Sequence, residues 1–282
     1  MIRFGTSSWI YEGWKGQIYK KAYKSEKQFK EEALAEYAKH PQFKTVSLDH
    51  TFYTPPKKEK LELYSSQVPE DFKFVAKVWE EITIPVFPNL PKYGSKKGSK
   101  NSNFLSEALL IRFLEPFFQS EIRKKMGVFV FQFPSMSINL PEVLGDLLLK
   151  LPKEFNFAVE IRNKEFLGAE YFDLLNQFNV AHCFNHWFRM PGLKFQMEQA
   201  ARAGGLKSEF FIARLLTPLG LSYENAVKKF SPYNEIKEVQ SEMREDVKRL
   251  IKRGTELKKE TFILVNNRCE GNAPLTIEAL ST

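Results

Sequence analysis

Cysteine and histidine are scarce in this chain, and their scarcity removes several chemistries at once. Its two cysteines, Cys183 and Cys269, lie in or just after the sixth and eighth of eight apolar runs. A seventh run separates them, so two buried, reduced thiols are expected rather than a disulfide or a redox pair. The four histidines, His40, His50, His182 and His186, show no HxH or HExxH spacing. On a strand, His50 would face away from Asp49 and His182 away from Asn185, so no catalytic metal is expected. A nucleophile elbow, a Walker loop and a GxGxxG fingerprint are all missing, and no cofactor is expected. No apolar run approaches the roughly 18 residues of a membrane span. Met1 leads straight into a strand pattern without the layout of a signal peptide, which gives the expectation of a cytoplasmic protein with no membrane partner.

Acidic residues are missing from Ile82 to Ser106, where Lys92, Lys96, Lys97 and Lys100 stand among Gly, Ser, Asn and Pro. The composition is that of a loop. The whole chain carries 42 Lys and Arg against 34 Asp and Glu, a formal charge of +8 that favours anionic partners.

What the chain does have is eight β-rich runs: IRFGTSSW, FKTVSLD, FKFVAKV, VFVFQF, FAVEIRN, VAHCFN, FFIARLL and TFILVNN. Helical patterns separate them, as in the stripe Val239, Met243, Val247, Leu250, Ile251 and Leu257 within Glu235 to Glu260, and in Phe29 to Tyr37 and Tyr171 to Phe178. Strands alternating with helices predict an α/β fold, a TIM (β/α)8-type barrel. Such a barrel takes about 250 residues, so residues 1–282 are read as one domain with enlarged loops. A hydrophobic content of 43% with 26 Phe fills the two layers such a barrel requires. The lysine-rich loop, about residues 85–104, follows the third run and is expected on the mouth face as a flexible flap or a solvated loop. The long segments after the sixth and seventh runs are expected to enlarge the mouth.

Nearly every run ends in a polar group, and strand alternation sorts those groups by face. Ala158, Glu160 and Arg162 oppose Phe157, Val159 and Ile161. Thr45, Ser47 and Asp49 oppose Val46 and Leu48, while Val128, Val130 and Gln132 oppose Phe129, Phe131 and Phe133. With Lys77 and Arg214 this predicts a net positive mouth, two carboxylates against three cations. Gln132, Asn185, Asn266 and Asn267 add donors beyond what a self-balanced layer of ion pairs needs, although such a layer is the competing reading. Gly5 is a candidate for close approach of backbone to ligand.

The blocks GTSSWIYEGWKGQIY, FKTVSLDHTFYTPP, FKFVAKVWEEIT, GVFVFQFP, FAVEIRN and ILVNNRCEGNA, in this order from residue 3 to about 280, resemble the domain of unknown function 72, or YecE-like, family. The resemblance implies a TIM barrel distantly similar to the endonuclease IV and xylose isomerase-like group, with no established activity. Trp9, Tyr53, Lys77, Gln132, Glu160, Arg162, Asn266 and Asn267 match the family pattern. Two blocks depart from it. Many relatives read TVEIN where this chain has Thr45-Val46-Ser47-Leu48-Asp49, and many carry Arg-His-Gly where Arg214 is followed by Leu215 and Leu216. The metal-ligand cluster of the endonucleases is not recoverable.

Two readings of function follow. In the first, an enzyme acts on a small anionic or phosphorylated substrate, such as a sugar phosphate, a nucleotide or a nucleic-acid end. Glu160, Asp49 and Lys77 would be catalytic, with Glu160 as general acid or base. Trp9, Tyr53, Gln132, Arg162, Asn185, Arg214, Asn266 and Asn267 would bind substrate. In the second, a noncatalytic protein binds nucleic acid through Lys92, Lys96, Lys97, Lys100 and an aromatic mouth. A metal-dependent hydrolase stands third. Nothing in the pattern points to a particular oligomeric state.

Overall fold

The computed structural model describes residues 1–282. Eight parallel strands close into a barrel in sequence order. They are β1 (Ile2–Thr6), β2 (Phe43–Leu48), β3 (Lys73–Lys77), β4 (Met126–Gln132), β5 (Phe157–Glu160), β6 (Ala181–His186), β7 (Phe210–Leu215) and β8 (Glu260–Val265). Ten α-helices lie between and after them: α1 (Glu26–Tyr37), α2 (Lys58–Ser66), α3 (Glu80–Thr83), α4 (Glu107–Phe118), α5 (Leu140–Leu149), α6 (Ala169–Gln177), α7 (Leu193–Arg202), α8 (Tyr223–Phe230), α9 (Ser241–Glu256) and α10 (Ala273–Ser281). The fold is the TIM barrel that the eight runs predict, and no helix is long and apolar enough to cross a membrane.

The period-two alternation of each strand makes two cores. Val75, Val128, Val130, Ala158, Ala181, Cys183, Ile212, Phe262 and Leu264 form a cluster inside the barrel. Phe129, Phe131, Phe133, Val159 and Ile263 belong to a second, larger cluster between strands and helices. Side-chain caps start several helices where the sequence offers them. Ser25 accepts from Gln28 N before α1, Ser106 from Leu109 N before α4, and Asn272 from Leu275 N before α10. Both cysteines are buried and unpaired.

Two expectations are revised, those for the helical stripe and for Gly5. The stripe running from Val239 to Leu257 overstates its helix. Ahead of Ser241, Lys237 N and Glu238 N donate to Glu270 O and Gln240 N to a Glu270 carboxylate oxygen, so these amides are bound away from a helical ladder. Val239 is consequently exposed, and Leu257 caps the far end. The lysine-rich loop is closed at its base: Val86 bridges Lys100, and the Asn101 side chain donates to Glu81 O and Ile84 O. Gly5 serves strand packing rather than a ligand, because a Cβ there would stand 1.9 Å from Thr45 O, where the β1–β2 register shifts between Phe4 and Gly5.

That approach gives a direct test. Gly5→Ala should force the two strands apart and cost about 3 kcal/mol, the upper end of ordinary overpacking. A urea midpoint unchanged from wild type would show that β1 and β2 are not packed through this glycine.

Candidate functional site

At the C-terminal ends of the strands, β5 supplies the central element. Continuing the inward face from Ala158, Glu160 and Arg162 point into the barrel above its apolar layer. Glu160 is completely buried, and a carboxylate there requires partners. Both of its oxygens have one. Arg214 on β7 donates Nη1 to Oε2 at 2.6 Å, and Arg162 Nη2 pairs with Oε1. Arg214 then reaches outward, donating Nη2 to both carboxylate oxygens of Asp49 at 3.1 and 2.9 Å. Ser47 donates to Asp49 Oδ1 at 2.6 Å, and Gln132 Oε1 accepts from Arg162 and Arg214, each at 3.4 Å. Burial would raise the Glu160 carboxyl, but Arg162, Arg214 and Lys77 outweigh it and hold it at about 2.

Above this network a cleft of about 470 Å³ opens at the mouth. It is lined by Asp49, Tyr53, Lys77, Gln132, Arg162, Arg214 and Asn266 from the expected set, and by Phe52, Ser135, Trp187, Arg189, Tyr223 and Arg268 among others that strand ends do not reveal. Its cations rest on aromatic faces. Arg162 lies 4.4 Å from the centre of the Trp187 ring, Arg268 4.5 Å from that of Tyr223, and Lys77 3.9 Å from that of Phe52. A ring attracts a cation without neutralising it. Five cationic side chains therefore face the cleft against Asp49 and the underlying Glu160, an excess of three positive charges.

Lys77 stands apart within this set. It is the last residue of β3 and only 6% exposed, yet its ammonium enters no ion pair and no side-chain hydrogen bond. Burial lowers its pKa most; Asp49 opposes and Arg214 adds to the lowering, leaving it at about 8.

The remaining expected residues lie elsewhere. Trp9 is buried and packs edge-on against Tyr64 at 5.0 Å, so it presents no surface to a sugar or base. Asn185, buried within the barrel, donates to Ile161 O. Asn267 points the other way from Asn266 and accepts from Trp14 Nε1 and Ala273 N, tying the chain after β8 to the N-terminal segment and α10. Asn266 contributes by accepting from Arg268 N at 3.0 Å, which fixes the turn that carries Arg268 to the cleft. Of the loop lysines, Lys92 pairs with Glu80 and also lies over Tyr53, and Lys96 pairs with Glu81. Lys97 and Lys100 are exposed without an ion pair, and none of the four lines the cleft. The histidines are dispersed, and no group of three or more His, Cys, Asp or Glu side chains is placed to hold a metal.

A second, more apolar cleft of about 590 Å³ lies outside the barrel between α7 and α9, with Phe184, Met197 and Leu250 in its wall. Its rim carries Lys194, Arg249 and Arg253, each paired with a carboxylate, and Lys207 and Lys259, which have no ion pair.

With both oxygens engaged and its proton affinity this low, Glu160 is suited to positioning two guanidinium groups rather than to the proton transfer expected of it. Removing its charge should therefore act on stability first. Glu160→Gln leaves buried guanidinium groups uncompensated and should cost about 3–5 kcal/mol, more than Asp49→Asn, whose side chain is 29% exposed. Because the folded pKa lies below the ordinary 4.5, the unfolded chain binds the proton more readily. The stabilisation is complete above about pH 4.5 and is lost as pH falls toward 2. The gap between wild type and variant in urea midpoint should thus narrow on acidification across that window; a constant gap would rule out this role.

The family model described as "Protein of unknown function DUF72" matches residues 3–282. Among solved structures, a DUF72 family protein from Thermotoga maritima superposes with a TM-score of 0.66 at 19% identity, covering 100% of this chain and 98% of that one. Another, from Enterococcus faecalis, gives a TM-score of 0.65 at 17% identity, covering 100% and 94%. These likenesses show the fold. No curated protein matches the chain. With the family model spanning almost its whole length, the chain belongs to the DUF72 family.

Proposed function

We propose that the protein is an enzyme acting on a small anionic substrate, phosphorylated or carboxylated, bound at the barrel mouth. The observation that carries this reading is the excess of cations around the cleft: Arg162 and Arg214 share Glu160 and Asp49, while Lys77, Arg189 and Arg268 rest on aromatic faces with no carboxylate partner. Cations supported in that way keep their charge for an incoming anion. Arg268, Arg162 and Lys77 would clamp it, with Arg214 more committed because it already serves two carboxylates. Asp49 is the one carboxylate lining the cleft and, although Arg214 and Ser47 engage its oxygens, its side chain is 29% exposed where Glu160 is fully buried. Lys77 loses its proton at about pH 8, and these two groups are the ones placed for proton transfer.

The nucleic-acid reading has less support. Glu80 and Glu81 occupy two of the four loop lysines, leaving Lys97 and Lys100 as the exposed, unpaired pair.

Sulfate titration by calorimetry tests the proposal. One sulfate should bind per chain, weakened about ten-fold or more by Arg268→Met or Lys77→Met, the loss of one charge-assisted contact. Affinity should fall as pH rises through about 8, where Lys77 gives up its proton, and Lys77→Met should flatten that dependence. Sulfate binding indifferent to both substitutions would overturn the reading. Binding of a single-stranded oligonucleotide that depends on Lys97 and Lys100 instead would turn it toward the noncatalytic one.

A further inference from the structure

The chain contains a built-in comparison for Lys77. Lys125 is equally buried, and its ammonium donates to Ser65 O at 3.0 Å and Val68 O at 2.9 Å and pairs with Glu70 at 3.0 Å. That is how this fold treats a lysine whose role is to stay charged. Lys77 receives none of these partners, only the face of Phe52. A buried ammonium without an ion pair or hydrogen bond loses solvation that nothing replaces, so Lys77 yields its neutral amine at about pH 8, well before an exposed lysine does. A neutral lysine amine is a nucleophile toward carbonyl carbon.

We propose, building on the reading of the mouth as an anion site, that the substrate is a small aldehyde or ketone bearing an anionic group, and that Lys77 condenses with its carbonyl to form an imine. The lone pair of the Lys77 nitrogen forms the N–C bond while the carbonyl π pair moves to oxygen. That oxygen takes a proton and the nitrogen releases one, giving a neutral carbinolamine. The hydroxyl then leaves as water, taking a further proton from solvent, and the nitrogen lone pair closes the C=N bond. One amine, one carbonyl compound and one proton thus give one iminium and one water. Asp49 is placed in the same cleft to pass these protons, and Arg162 and Arg268 to hold the anionic group. A cleft of about 470 Å³ accommodates a metabolite of this size.

The charges around Lys77 come from several strands and set its pH response. Asp49 after β2 and Glu160 on β5 favour the ammonium, while Arg214 on β7 and Arg162 after β5 oppose it. Labelling of Lys77 should accordingly rise with a midpoint near pH 8, ahead of surface lysines.

The test uses the full chain with pyridoxal 5′-phosphate, an aldehyde carrying phosphate, and separately with glyoxylate, a much smaller anionic aldehyde. Each reaction is trapped by borohydride or cyanoborohydride reduction and mapped by peptide mass spectrometry. At pH 8 Lys77 should be labelled about ten-fold or more faster than any exposed lysine, given the larger fraction of neutral amine, and excess sulfate should suppress the label. Lys77→Arg should bind sulfate but take no label in the cleft, which separates loss of the nucleophile from loss of the fold. Label scattered over exposed lysines with Lys77 untouched by both probes overturns the imine. If sulfate still binds in that case, the anion site survives without it; if sulfate also fails to bind, both readings fall.

Discussion

A carboxylate buried at the centre of a barrel mouth leaves the fold little freedom, because isolated charge in that environment costs several kcal/mol. Glu160 is placed there by the inward register of β5, and the residues around it are arranged to answer it. Arg162 and Arg214 take one oxygen each. Arg214 in turn draws in Asp49, and Ser47 and Gln132 complete the set. The network gives each guanidinium a fixed position above an interior otherwise filled by Val, Ala, Ile and Phe. Preorganised cations of this kind act on a bound anion without first having to be gathered.

The loops supply what the strands do not. The segment after β6 brings Trp187 under Arg162, and the one after β7 brings Tyr223 under Arg268. Both segments are long in sequence, and both return an aromatic residue to the mouth, Trp187 ahead of α7 and Tyr223 as the first residue of α8. Those rings change the charge balance of the site. Had Arg162, Arg268 and Lys77 all been supported by further carboxylates, the mouth would be a closed set of ion pairs. Aromatic support keeps them localised and still positive.

The strands, their order and the face each residue occupies were legible in the sequence, because a period of two leaves one reading once the outer face is apolar. Asp49, Lys77, Gln132, Arg162, Arg214 and Asn266 meet at one cleft for that reason. Legibility ended where regular backbone ended. Asn266 and Asn267 look alike as a pair, but one caps the turn that presents Arg268 and the other turns back to Trp14. Arg268 follows immediately, and strand parity does not reveal it because a helical turn aims it. Trp9 could not be told from a ligand platform without its contact to Tyr64. The loop lysines looked free because their counter-ions, Glu80 and Glu81, lie upstream of the acid-free stretch and return to it only through the fold.

The fold constrains chemistry only loosely, since this architecture supports many reactions and likeness at 17–19% identity conveys shape alone. The more restrictive feature is how unevenly the chain treats two buried lysines. Lys125 is given two carbonyls and a carboxylate; Lys77, at the end of β3 and beside a set of fixed guanidinium groups, is given a phenyl ring. A protein that needed only positive charge at the mouth had Arg available, which stays protonated at any physiological pH. Lysine in a mostly buried, cationic setting adds the one property arginine lacks, a lone pair that becomes available at about pH 8. The same surroundings that lower its proton affinity also favour an anionic partner, so the binding of charge and the exposure of a neutral nucleophile arise from one arrangement of residues.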